Sequence, residues 1–231
     1  AGTLWIPVWF FFVHGHDLRA SPKATADHGD ARLIDANLIR RLVVLAIVVS
    51  TLTISWQFLR AWIALFLRDH HGYSKEATRG LMSGYFIAAD VGCLLSGALV
   101  WGLAQRGWQV PSARLLGFFL FSILTACGSL VPHASSHGMM LAFLYLAGAG
   151  ILGLHPYYYA MTQELPATRV GLFSGLLAAA GWVVSSLSQI YLGRHIELTK
   201  SYELGLTLVG LAPVIGLLAI LFLWPRQAPA T

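Results

Sequence analysis

Six long apolar blocks, at 42–67, 81–104, 115–131, 139–161, 170–193 and 204–224, constrain this chain more than any other feature. Crossing a bilayer takes roughly 20 apolar residues in a helix, and each block reaches that length, the third only just. Helices are the expected form, because lipid-exposed backbone must satisfy its hydrogen bonds internally. Alternating strands of about ten residues, the barrel pattern, are absent. Composition agrees: 57% of the 231 residues are hydrophobic and 11% are charged, against about 25% charged in soluble domains. The net charge of +5 reflects scarce acids rather than a basic tract. That balance excludes a nucleic-acid footprint, which needs Lys and Arg clustered on one face.

The remaining segments frame the bundle. Residues 4–13 are apolar but span about half a membrane, with no basic n-region to make them a signal peptide. They read as the end of a truncated helix, residues 1–13, and the chain as a C-terminal piece of a longer one. Residues 14–41 form a polar linker, with a short amphipathic helix expected at 31–38. Residues 226–231 form a tail. Alternating the loops between two sides places nine basic residues with the linker and tail and five opposite, with Arg60 inside the first span. The excess assigns linker and tail to the cytoplasm. The blocks also divide into threes of similar length, 42–131 and 139–224. The middle span of each three is rich in small residues: Gly84, Gly92, Ser96 and Gly97 in one, Gly171, Ser174, Gly175 and Gly181 in the other. An odd number of spans per unit inverts the second, so two inverted three-helix repeats are expected.

Few polar residues lie inside the spans. Asp90 is the one acid at mid-membrane depth, where an ionised group costs about 2.5 to 3.5 kcal/mol. It is either a protonatable or substrate-contacting site, or an acceptor that ties its helix to a neighbour. Arg60 lies toward the same side of the membrane, so the two would pair if the first two helices touch. Thr53, Gln57, Arg60 and Ala64 share one helical face, with Trp56 beside it. That stripe reads as a wall that recognises an anion, unless Arg60 snorkels to the headgroups. In the fourth span Pro156 predicts a bend, placing His155, Tyr157, Tyr158 and Tyr159 beside a site or at an aromatic anchor belt. In the fifth, Trp182, Ser185, Ser186 and Gln189 form a second polar face, for interhelical hydrogen bonds or for the far wall of a cavity. Gly171 and Gly175 form a small-xxx-small pair suited to close packing.

Several motifs fail on context. Gly148-Ala-Gly150-Ile-Leu-Gly153 matches a dinucleotide pattern, but no strand precedes it and no βαβ unit surrounds it. His133 and His137 have the spacing of a metal pair without a third ligand, and read as solvated loop residues. Cys93 and Cys127 are small packing residues. No nucleophilic triad, carboxylate pair or phosphate loop is present, so an enzyme is not expected, and no cofactor is implied.

Trp56-x-Phe58-x-x-x-Trp62, Leu67 and Gly72-Tyr73-Ser74 together resemble a known family. So do Ala89-Asp90-x-Gly92 with Gly97, Arg106-Gly107-Trp108 with Ala113-Arg114, and Pro166 with Val170-Gly171 and Gly175. The pattern, which covers almost the whole chain, is similar to the C-terminal half of a major facilitator superfamily transporter. More narrowly, it resembles the anion:cation symporter branch that includes hexuronate and other sugar-acid permeases. Three places depart from the branch. Trp101 stands where the superfamily often has Asp, Arg60 where the branch is usually neutral, and Pro156 near a frequent Asn.

The resemblance implies an all-α membrane protein of the bacterial inner membrane that works by alternating access. It implies a small organic anion as cargo, a proton as coupling ion, and a missing N-terminal six-helix half as partner. Trp56, Gln57, Arg60, His155, Tyr158, Trp182 and Gln189 would contact cargo. Asp90 would couple or gate, and Arg106 and Arg114 would latch the cytoplasmic side. Efflux of amphipathic compounds, or a non-transporting sensor or inactive fragment, are the alternatives.

Overall fold

The computed structural model describes residues 35–225. The expected helix end at 1–13, most of the linker and the tail at 226–231 lie outside the described residues. Six helices follow in order: α1 Ala36–Leu65, α2 Lys75–Gln105, α3 Val110–Ala126, α4 His137–Thr162, α5 Val170–Thr199 and α6 Glu203–Leu223. α1 runs on through a π-helical turn, Phe66–His70, and α3 through a 3₁₀ segment, Cys127–His133. With these extensions all six are long and apolar enough to cross a membrane. The described residues form no strand.

The helices overrun the apolar blocks at their ends. α1 begins at Ala36, within the expected linker, and α5 continues past Gly193 to Thr199. Polar residues at a helix end extend into the headgroup layer without hydrocarbon cost, so hydropathy marks the buried core of a span and not its tips. Local chemistry sets the ends. The Ser74 hydroxyl accepts from the Ala77 N–H and Ser136 from the Met139 N–H, each capping the helix that follows. Pro111 sits in the first turn of α3, where its missing N–H costs nothing. Gly107, at φ +85°, makes the tight turn from α2 to α3, a conformation other residues rarely adopt.

Pro156 does not break α4, which is continuous from His137 to Thr162. A transmembrane helix tolerates proline where its neighbours support it.

Packing sets which helices are central. α2 lies along α4, while α1 lies along α5 and α6; α3 packs on α4 and α6, and α1 also touches α4. Glycines permit the closest approaches. A Cβ on Gly92 would collide with the Ala149 backbone, one on Gly148 with the Tyr85 ring, and one on Gly205 with the Phe58 ring. Hydrogen bonds between helices add to this. Ser55 donates to the Val209 carbonyl at 2.7 Å, Tyr157 to the Ser96 carbonyl at 3.0 Å and Tyr145 to the Leu81 carbonyl at 3.0 Å. Each satisfies a hydroxyl that would be costly to leave bare in a low-dielectric core. Gly171 and Gly175 do not pack as expected. A Cβ at either meets nothing within 4 Å, because that face of α5 is open.

Candidate functional site

The buried positions of α1 (Val44, Val48, Leu52, Ser55, Leu59 and Ile63 among them) recur at three- and four-residue steps and form its core face. Thr53, Gln57, Arg60 and Ala64 fall on the opposite face. Arg60 is exposed and the other three are half-buried. α5 runs beside this stripe: Gly181 lies against the Thr53 hydroxyl at 3.1 Å and Gly193 against the Trp62 ring at 3.1 Å, measured from a Cβ built on each glycine.

On the other flank Trp56 leaves the stripe and joins an aromatic cluster. Its ring stacks on Tyr85 at 6.5 Å and meets Phe86 edge-on at 6.2 Å and His155 at 6.4 Å, between centroids. His155 continues the cluster to Tyr159 at 6.3 Å. The cluster ties α1 to α2 and α4, each pair being a favourable offset or edge contact. His155 Nδ1 lies 2.9 Å from the Ile151 carbonyl. A carbonyl only accepts, so Nδ1 carries the proton and Nε2 of the neutral ring is the acceptor. Tyr85 is fully buried, yet its hydroxyl has no partner among the described residues.

Trp56 and His155 are thus brought together as expected positions, and the remaining expected residues are distributed. Tyr158 is 5% exposed and belongs to the core; the tyrosine exposed beside His155 is Tyr159, at 56%. A single 100° step on the helix separates the two outcomes. Gln189 accepts from the Trp62 indole N–H at 2.7 Å. Because that indole only donates, the Gln189 Oε1 must face it, which leaves the buried Nε2 without a partner among the described residues. Trp182 is 54% exposed on α5.

Arg60 and Asp90 do not pair. The described residues form three ion pairs, Arg68–Asp69, Arg79–Glu76 and Arg114–Glu164, and neither residue is in them. The reason is helical phase. α2 turns Tyr85, Ala89, Gly92 and Ser96 to its neighbours, and Asp90, one step past Ala89, is exposed.

Arg114 is held at one end of the bundle by Glu164, at 2.5 Å. Arg41 reaches the same place, with a long 3.5 Å contact to the Glu164 carbonyl and its guanidinium 5.7 Å from the centre of the Trp224 ring. Arg106 is exposed at the C-cap of α2, with its backbone N–H on the carbonyls of Leu103 and Ala104.

Sequence reasoning did not find Tyr85, Phe86 or Glu164, and it named Trp62 only as part of a motif, without its partner Gln189. An aromatic residue in an apolar run carries no mark of its partner, and Glu164 sits outside the spans. The one available signal for Trp62 was its place, with Phe58, four residues apart on one helix face.

Chemically, the arrangement offers one guanidinium, amide and hydroxyl groups on an open face, and an aromatic wall holding a proton-accepting imidazole nitrogen. That set suits binding of a small anionic or polar solute; it holds no activated nucleophile. No family model matches the chain, and no curated protein sequence matches it.

Proposed function

We propose that the chain is one half of a secondary active transporter of the major facilitator type, working by alternating access. The observation that carries this reading is the packing order. If α1–α3 and α4–α6 are equivalent units, the pairing of α1 with α5 corresponds to that of α4 with α2. The pairing of α1 with α6 then corresponds to that of α4 with α3. Such an exchange of middle helices between two three-helix units is what an inverted repeat produces. α2 and α5 are also the least buried spans. Their open faces, including Gly171 and Gly175, suit contact with a complementary six-helix half across a midplane cavity.

The cargo class is a small organic anion such as a sugar acid, coupled to protons, with Arg60 and Gln57 as its polar contacts and Trp56 and His155 as its wall. Arg114 with Glu164 forms a latch on the side that the basic-residue excess assigns to the cytoplasm. The protein then resides in a bacterial inner membrane. A second reading, export of amphipathic compounds, is supported by the exposure of Trp182 and Tyr159.

Flux through proteoliposomes carrying the protein together with its complementary half, with and without an inward proton gradient, tests the proposal. Gradient-driven uptake of a sugar acid is expected. Export of hydrophobic dyes favours the second reading, and the absence of flux in both directions overturns transport.

A further inference from the structure

The end of the bundle away from the Arg114–Glu164 pair holds a cluster that transport does not use. The π-helical turn Phe66–His70 ends α1, and Gly72, at φ +70°, redirects the chain. His70 and His71 follow each other there, with ring centroids 5.2 Å apart. His137, the first residue of α4, meets His71 at 5.7 Å and Tyr73 at 5.7 Å. Phe66 lies under both histidines of α1, at 5.6 Å from His70 and 4.7 Å from His71. Tyr202, the N-cap of α6, closes the ring at 5.5 Å from Phe66 and 6.4 Å from His70. Phe66, His70, His71, His137 and Tyr202 line a cleft of about 550 Å³.

We propose that His70, His71 and His137 form a proton-operated clasp that joins the ends of α1, α4 and α6. Neutral imidazoles pack here as flat aromatic surfaces on Phe66 and on one another. Protonated, they are adjacent like charges, and the contact among the three helix ends opens. Among the described residues no three His, Cys, Asp or Glu side chains converge as metal ligands, so the proton is the ligand this cluster reads.

The groups facing the cluster support that assignment. From α1 come His70 and the Arg68–Asp69 pair, 3.8 Å apart. The segment after it contributes Tyr73, α4 contributes His137, and the start of α6 contributes Tyr202 and Glu203. Asp69 is exposed, 3.8 Å from Arg68, so solvent weakens its pull. Glu203 is also exposed, as are His70 and His137, so solvent and salt weaken both its pull on an imidazolium and the repulsion between imidazoliums; His71, half-buried, is the least screened of the group. His71, between two other imidazoles, feels the net effect: burial, then His70 and His137, hold it below the ordinary 6.5. A base whose pKa is depressed in the closed form binds its proton better in the open form. Closure is therefore complete above pH 6.5 and is lost as pH falls through the lowered value.

The inference is independent of cargo, since its readout is backbone exchange. Hydrogen–deuterium exchange of the full chain in lipid nanodiscs at pH 7.5 and 5.5, corrected for intrinsic chemistry, tests it. Exchange across 66–73, 134–141 and 201–206 is expected to rise in acid, because the closed form loses stability as His71 takes up its proton. In His71→Gln/His137→Gln it is expected to stay flat. Equal exchange of the wild type at both pH values, or a rise that persists in the double variant, overturns the clasp. Should the variant not fold, a wild-type titration still decides: a midpoint between pH 5 and 6.5 supports the clasp, and one below pH 5, where carboxylates titrate, overturns it.

Discussion

Arg60 and the Trp62–Gln189 pair show two fates for polar side chains placed among apolar ones. Arg60 stays on the open face of α1 without an ionic partner among the described residues. If it is the cargo's counter-ion, Arg60→Gln weakens binding of an anionic solute at least about tenfold, the low end for removing a charge-assisted hydrogen bond. Equilibrium binding to the purified protein checks this, and unchanged affinity removes Arg60 from the site. Gln189 is instead consumed by structure, with its Oε1 on the Trp62 indole. Trp62→Phe should cost about 1 kcal/mol in thermal unfolding, within the range for hydrogen bonds between membrane helices. Adding Gln189→Leu should restore part of that loss, because it removes a buried amide with no partner. A larger loss in the double variant would contradict the assignment. Both residues sit on the polar stripes legible in the sequence, but a stripe does not say which of its members already have partners. That information lies in the phase of the facing helix.

Among the helices, closeness of approach separates glycines that spacing alone treats alike. Gly92 and Gly175 both belong to small-residue runs. At Gly92 an added side chain meets the Ala149 backbone, while at Gly175 it meets open space. Gly92→Val should therefore destabilise the chain by about 1 to 3 kcal/mol, the usual cost of overpacking. Gly175→Val should be neutral within about 0.5 kcal/mol and should impair only assembly with a complementary half. Denaturant titration of the chain in micelles, beside co-purification with that half, checks both. Loss of stability in Gly175→Val would contradict the open face. The six spans were legible from apolar length because the bilayer demands it. Their tips were not, since Lys75 and Arg79 at the start of α2 are helical but polar. Nor was the pairing of helices, which depends on small residues that look the same whether they touch a neighbour or not.

For the molecule as a whole, six apolar helices enclose a core of aliphatic and aromatic side chains, with polar clusters at both ends and a sparse polar face along α1. The ends were partly legible: Arg114 stood out in the sequence, but Glu164 did not. His137 read as a solvated loop residue, whereas it begins α4 and meets His71. Contacts between helix ends depend on which helices are neighbours, and that is a property of the assembled bundle. The central claim is that the α1 stripe faces water and not lipid. Single cysteines at Gln57 and Arg60, with Cys93 and Cys127 replaced by alanine, measure this directly against a membrane-impermeant thiol reagent in sealed vesicles. The account predicts that both react from one side and are protected by an anionic cargo, while a cysteine at the exposed apolar position Ile215 does not react. Labelling at 57 and 60 as slow as at 215 would contradict it.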